Sequence, residues 1–348
     1  MRTVEWDNGV VRMIDQKQIP WVLAQVDLLS YQDVAAAITD MTVRGAPAIG
    51  ASAAFGLALA AQNSSAGDLD GLLAELDLAA RVLKDARPTA VNLAWAVDRL
   101  MAIAAQTYAD IDALKEALLD AAKQIADSDV EINRRMGGHG ATLIKNGMTI
   151  LHHCNTGSLA TVDYGTALGV IRAAHEQGKQ FHVLLDETRP RLQGARLSAW
   201  ELEQLGVSYD IIPDTAAGHF MRKGEVGLVL VGADRVAANG DFANKIGTYQ
   251  IAVLAKENAI PFYTVAPTST VDLSLVHGDL IPIEERNLDE VRAPYGNALV
   301  PDHFNARNPA FDVTPHRYLS GIVTENGIVS SPFTDTLARA VRAESTSN

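Results

Sequence analysis

Gly227-Leu228-Val229-Leu230-Val231, running into Gly232-Ala233-Asp234-Arg235, decides the fold. A run apolar on both faces suits a central parallel strand with helices on either side. The same theme repeats outward in both directions. Thr149–His153, Phe181–Leu185, Val207–Ile212 and Pro261–Val265 read as strands, with helices expected over 166–175, 192–205, 216–223 and 246–258. Strands alternating with helices of this length build a parallel, doubly wound sheet through right-handed crossovers. Toward the N-terminus the texture changes. Residues 34–38, 69–83, 91–105 and 111–132 are Ala/Leu-rich and helical, with Asp68 and Asn92 as helix-start residues and Pro88 between two helices. Gly45–Ala61, small and apolar, reads as a tightly packed buried helix, too short and too Ala-rich for a bilayer span. Thr3–Trp6 and Val10–Ile14 flank Asp7-Asn8-Gly9, a hairpin pattern. The expected division is 1–135 and 136–348, with the break at Met136-Gly137-Gly138-His139-Gly140 and a fraying polar tail from Ala340.

Composition narrows the function. The 348 residues carry 29 Lys plus Arg against 42 Asp plus Glu, a net charge of −13, which argues against a nucleic-acid partner. One cysteine allows neither an internal disulfide nor a multi-cysteine zinc cage. The first residues lack a basic segment followed by an apolar one, so the cytoplasm is the expected compartment and no membrane partner is expected. Walker A, G-x-G-x-x-G, H-E-x-x-H and EF-hand patterns are all missing, so neither a nucleotide cofactor nor a metal is expected.

In open α/β sheets, ligands bind beyond the carboxyl ends of the strands. Those ends read Cys154-Asn155-Thr156-Gly157, Asp186-Glu187-Thr188-Arg189, Asp214-Thr215, Gly232-Ala233-Asp234-Arg235 and Pro267-Thr268-Ser269. Asp186 or Thr188, before Pro190, suits a helix cap, and Asp214 or Thr215 suits a cap for the next helix. Asp234 is different, because Asn239-Gly240-Asp241 already supplies the turn chemistry. A carboxylate ending an apolar strand is partly desolvated, which raises its pKa toward acid–base work; structure and catalysis both stay open for it. Cys154 is an ordinary buried thiol or, just before an expected helix start near Gly157-Ser158, an activated one. Alternation places His152 on the face of Cys154, but neither histidine is given a catalytic role. Arg44-Gly45-Ala46-Pro47, Arg87-Pro88-Thr89 and Asn244-Lys245-Ile246-Gly247 bring cations to loops and helix starts, where backbone N–H groups favour a phosphate.

Val43–Gly50, His153–Thr161, Asp186–Leu197, Gly232–Asp241, Asn244–Tyr249 and Ile283-Glu284-Glu285-Arg286 together resemble the S-methyl-5-thioribose-1-phosphate isomerases of methionine salvage. That family is related to the regulatory subunits of initiation factor 2B and to ribose-1,5-bisphosphate isomerase. The resemblance runs from the N-terminal hairpin past Asn308–Pro315. It implies catalytic roles for Cys154 and Asp234, and substrate contacts from Arg44, Gly45, Ala46, Arg87, Gln193, Asn244 and Lys245. It also implies a mainly helical N-terminal domain with a small sheet, a Rossmann-like C-terminal domain, a sugar-phosphate substrate and a homodimer. In that chemistry an acid opens a ring whose anomeric oxygen carries phosphate, and hydrogen then moves from C2 to C1. An enolate route through Cys154 and a direct hydride route both stay open. The alternatives are an isomerase of ribose 1,5-bisphosphate, which needs a second cationic pocket, and a non-catalytic regulator.

Overall fold

A computed structural model describes residues 1–88 and 90–345. Its chain divides into two compact units: Met1–Glu131 with Ser158–Gly165, and Ile132–Gly157 with Thr166 onward. The division falls inside a helix between Glu131 and Ile132, not at 135/136, and Ser158–Gly165 joins the first unit.

The first unit opens with a three-stranded antiparallel sheet, β1 (Val4–Asp7), β2 (Val10–Ile14) and β3 (Gln25–Leu28). Asn8 and Gly9 take φ of 48° and 93°, the left-handed pair that a two-residue hairpin turn requires. β3 was not foreseen, because Gln25-Val26-Asp27-Leu28 is too short and polar to stand out. Helices follow: α1 (Tyr31–Thr39), α2 (Ala46–Asn63), α3 (Leu69–Asp85), α4 (Val91–Ala104) and α5 (Ile111–Ala141). Ser30 and Asp33 form a capping box on α1, and Asp68 Oδ1 accepts from Gly71 N at 2.8 Å on α3. Asn92 is not a cap; α4 starts one residue earlier, after Ala90. α2 is buried almost all round, as its small residues require. At Gly56 a Cβ would lie 3.0 Å from both Val34 and Leu83, so a larger side chain would push α1 and α3 away.

α5 runs straight through Gly137-Gly138. Two glycines cost a helix roughly 2 kcal/mol in propensity, less than the rest of a 31-residue helix supplies. At Gly140 a Cβ would come within 2.4 Å of Val170 Cγ2, so that glycine serves close packing and not a break.

The second unit holds β4 (Thr149–His152), α6 (Ala167–Glu176), β5 (His182–Asp186), α7 (Ala199–Leu205), β6 (Ser208–Ile212), α8 (Ala217–Arg222) and β7 (Leu228–Gly232). There follow β8 (Arg235–Ala237), β9 (Phe242–Lys245), α9 (Thr248–Glu257), β10 (Phe262–Val265) and β11 (Val271–Asp272). The chain ends with α10 (Asp289–Arg292), β12 (Phe311–Thr314), β13 (Gly321–Thr324), β14 (Gly327–Val329) and α11 (Phe333–Ser345). Residues 340–345, expected to fray, are the last turns of α11; residues 346–348 lie outside the described residues.

Seven strands form one sheet in the order β14-β13-β10-β7-β4-β5-β6, parallel except for the β13–β14 edge pair. Counting the parallel strands by sequence, the order is 3-2-1-4-5-6, which reverses between β4 and β7. In open parallel sheets such a reversal is where ligands bind, beyond the strands' carboxyl ends. A second sheet, β11-β8-β9-β12, grows from the β7 end. It was not foreseen, since its strands are two to four residues long and come from distant segments.

His152, on β4, is fully buried, with Nδ1 2.8 Å from Leu230 O. Burial pushes its pKa down from 6.5 to about 4, so it is a neutral core residue. An unfolded histidine takes up a proton near pH 6.5 that the native one refuses until about 4. Stability from this group is therefore full above pH 6.5 and is lost as pH falls toward 4, about 3 kcal/mol in all. Urea midpoints measured across that interval should fall in step.

Candidate active site

In the first unit, Gly45 caps α2 at φ 97°, and a Cβ there would lie 2.3 Å from Ala160 O. Only glycine fits. It gives α2 a start without a side-chain cap, which leaves first-turn N–H groups of an 18-residue helix beside Arg44 and Ala46. Arg44 and Arg87 are both half-buried, and Arg87 N donates to Lys84 O at the end of α3. Thr89, expected in the same loop, lies outside the described residues.

In the second unit, Cys154 follows β4 and Asp234 follows β7, so the two candidates flank the reversal of strand order. Cys154 is buried and holds φ at 70°, a conformation that costs a non-glycine residue roughly 1–3 kcal/mol. Its neighbours hold it there. Cys154 N donates to Thr188 Oγ1 at 2.9 Å, and Cys154 O accepts from Ser198 Oγ at 2.8 Å. Asn155 Nδ2 donates to Ser198 Oγ and to Glu201 Oε1. The expected helix start at Gly157 is only a three-residue 3₁₀ turn, and α6 begins ten residues later, so no long helix directs its dipole at the thiol.

A buried cation takes that place. Lys245, at the end of β9, donates Nζ to Ala310 O at 2.7 Å and sits 4.9 Å from the Phe311 ring centroid. Burial pushes its pKa down to about 8, Arg286 pushes the same way, and the charges of Cys154 and Asp234 oppose it. Cys154, Asp234 and Lys245 therefore lie close enough to act on one another electrostatically. Asp234 is half-buried, its N–H donating to Ala243 O at 2.9 Å, so the β8–β9 hairpin fixes its backbone. Asn239-Gly240-Asp241 is the turn of that hairpin, not a helix start. Asn244 Nδ2 donates to Thr248 Oγ1, and Asp312 on β12 accepts from Gly247 N and Tyr249 N, capping α9 from another strand.

Gln193 is buried, and its Oε1 has no partner. It enters a π-type turn, Gly194–Ser198, the kind of local widening that re-aims side chains at functional sites.

Asp186 and Asp214 are not helix caps. Asp186 Oδ2 lies 2.9 Å from His153 Nδ1, while His153 Nε2 lies 2.9 Å from Ile246 O. The ring faces two acceptors, so a proton is held between His153 and Asp186; Asp186 keeps the imidazole's pKa raised against burial. This pair ties the backbone beside Cys154 to the backbone beside Lys245. Asp214 accepts from Thr188 N and Arg189 N, each at 2.7 Å, and so clamps the loop that carries Thr188. Thr188 spends its hydroxyl on Cys154 N and Asp186 O. Sequence reasoning missed these positioning roles because each depends on contacts between strand ends. Ligand atoms of His153, Asp186 and Asp214 lie within 4.8 Å of one another, but both His153 nitrogens and both Asp214 oxygens are engaged in these bonds.

The Initiation factor 2 subunit family matches residues 42–331 of the chain. The chain is 52% identical over 342 residues to the methylthioribose-1-phosphate isomerase of Geobacter metallireducens, covering 98% of this chain and 99% of that one. The crystal structure of 5-methylthioribose 1-phosphate isomerase from Pyrococcus horikoshii OT3 is similar at TM-score 0.92 and 48% identity, covering 98% and 96% of the two chains. A crystal structure of the translation initiation factor eIF-2B subunit delta from A. fulgidus is similar at TM-score 0.89 and 40% identity, covering 98% and 99%.

Proposed function

From the premise that this chain belongs to the Initiation factor 2 subunit family and, within it, to the methylthioribose-1-phosphate isomerases, we propose that it converts 5-methylthioribose 1-phosphate to 5-methylthioribulose 1-phosphate. One observation carries the reading: Cys154 and Asp234 flank the strand-order reversal and share the field of buried Lys245. A regulatory protein has no evident use for that arrangement.

The substrate's phosphate blocks simple opening at the anomeric carbon, so the ring oxygen must be protonated as its bond to C1 breaks. Asp234 in its neutral form supplies that proton. Hydrogen then leaves C2 and arrives at C1 while the C2 hydroxyl returns its proton to the Asp234 carboxylate, leaving the 2-ketone and restoring the acid. Cys154, as thiolate beside Lys245, takes the C2 proton, and its thiol returns one to C1. Arg44, Gly45, Ala46, Arg87, Gln193, Asn244 and Lys245 are the proposed substrate contacts.

Turnover in deuterium oxide tests the route: solvent deuterium at C1 supports Cys154 as base, and full retention of the C2 hydrogen replaces it with a hydride shift. Activity on ribose 1,5-bisphosphate in place of the methylthio sugar overturns the substrate assignment. The proposed setting is methionine salvage in the cytoplasm, as a homodimer; light scattering should give about twice 37.2 kDa. Among the described residues, no helix is long and apolar enough to cross a membrane.

Lys245 sets a pH dependence. Its ammonium is present below about 8 and lost above it, so kcat/KM, which reports the free enzyme, should fall above that pH. In Lys245→Arg, whose guanidinium does not titrate there, this alkaline fall should disappear. A fall that persists unchanged assigns the group elsewhere.

A further inference from the structure

The mechanism leaves Arg286 unused, although its motif, Ile283-Glu284-Glu285-Arg286, marks the sequence. Its backbone is fixed, with Arg286 N donating to Asn308 O at 2.9 Å and Ala310 N to Glu284 O at 2.8 Å. Its side chain is only 10% exposed. Nε forms no hydrogen bond, and Glu284 Oε1 stands 3.5 Å from it as an ion-pair partner. Among the described residues the guanidinium donates no hydrogen bond to the protein. A guanidinium brings five donors, and one ion pair at 3.5 Å leaves them without protein acceptors.

Arg286 is also close to a second cation. Its Cζ lies 5.7 Å from the Phe311 ring centroid and Lys245 Nζ lies 4.9 Å from the same centroid. Two cations at one ring repel each other, and an anion bound between them would offset that repulsion. Lys245 donates to the Ala310 carbonyl, a neutral group. Glu290 also acts on Lys245, but its oxygens are bonded to Arg191 and Asn308.

We infer that Arg286 binds the substrate's phosphate, forming with Lys245 a two-cation seat over Phe311. Planar donors that find no acceptor in the protein match phosphate oxygens, which accept a guanidinium fork in pairs. The inference rests on the proposed function for its substrate but not for its ligand chemistry, which is phosphate in either case. Arg286 lies outside the contacts that the sequence resemblance implied.

The test uses inorganic phosphate as probe, measured by calorimetry on the full chain and as a competitive inhibitor of turnover. Arg286→Met keeps the apolar stem and removes the fork and charge. It should weaken phosphate binding at least about tenfold and raise KM by a similar factor, while kcat changes less than about threefold. Arg286→Lys, which keeps the charge, should recover part of the loss. A residue that merely packs on Phe311 gives phosphate affinity within about twofold of wild type in Arg286→Met, and that result overturns the inference. So does a raised KM with unchanged phosphate affinity, which would place Arg286 against the sugar. Should Arg286→Met fail to fold, Arg286→Lys decides, because loss of the fork alone must still lower phosphate affinity. Phosphate binding that depends on Arg286 in a protein that does not isomerise the methylthio sugar overturns the function and leaves this inference standing.

Discussion

Asp234→Asn should reduce kcat at least about 10³-fold while leaving the melting temperature near that of wild type. Asparagine matches aspartate in shape, and the Asp234 N–H to Ala243 O bond belongs to the backbone, so the hairpin after β7 stays in place. What disappears is the proton. A ring whose anomeric oxygen carries phosphate has no spontaneous aldehyde form to fall back on, so ring opening loses its acid. Cys154→Ser should cost about 10²-fold or more, since a serine hydroxyl is a far weaker acid than the thiol it replaces. The double variant should be little worse than the worse single one, because the two groups act on one bond sequence. The chain has one cysteine, so alkylation reports a single site, and substrate should slow it. Near-wild-type turnover in both single variants would falsify the site assignment.

How far the site could be read in advance depends on where its information lies. Cys154 and Asp234 were legible because each sits at the end of an apolar run, and topology sends such residues to one edge of the sheet. Lys245 was legible as a cation in a phosphate-binding pattern, but its depressed pKa was not. That depends first on burial against β12 and then on Arg286, both supplied by segments far away in sequence. The helix dipole expected at Cys154 was a local argument that failed, since Gly157-Ser158 begins a short turn. Asp186 and Asp214 looked like caps because cap chemistry is local, whereas their partners, His153 and the 188–189 backbone, belong to other strand ends. Gly137-Gly138 looked like a break because propensity is local, while the helix around it is held by packing. Strand ends and periodic faces are visible in one dimension; clamps between strand ends exist only once the sheet has formed.

Gly194→Ala should be the most damaging single change outside the charged groups. A Cβ at Gly194 would lie 1.8 Å from Asp186 O and 3.0 Å from Thr188 Oγ1. The nearest atom is backbone at the end of β5, held on both sides by β4 and β6, so no side-chain rotation relieves the overlap. The main chain must move instead. The cost is about 3 kcal/mol or more, at the upper end for an overpacked core. Displacement would also reach the chemistry by two routes. Gln193 precedes the clash directly, and Ser198, at the end of the same π-type turn, holds Cys154 O. Loss of that bond frees Cys154 from its left-handed conformation, so kcat should fall together with stability. Gly138→Ala is the matched control, because a Cβ there meets nothing within 4 Å on the exposed side of α5. It should stabilise the helix by roughly 0.5–1 kcal/mol and leave turnover unchanged. Urea midpoints and kcat for the two variants separate a close-approach glycine from a dispensable one. A Gly194→Ala protein with wild-type stability would mean that β5 and the 194–198 turn do not approach as closely in solution.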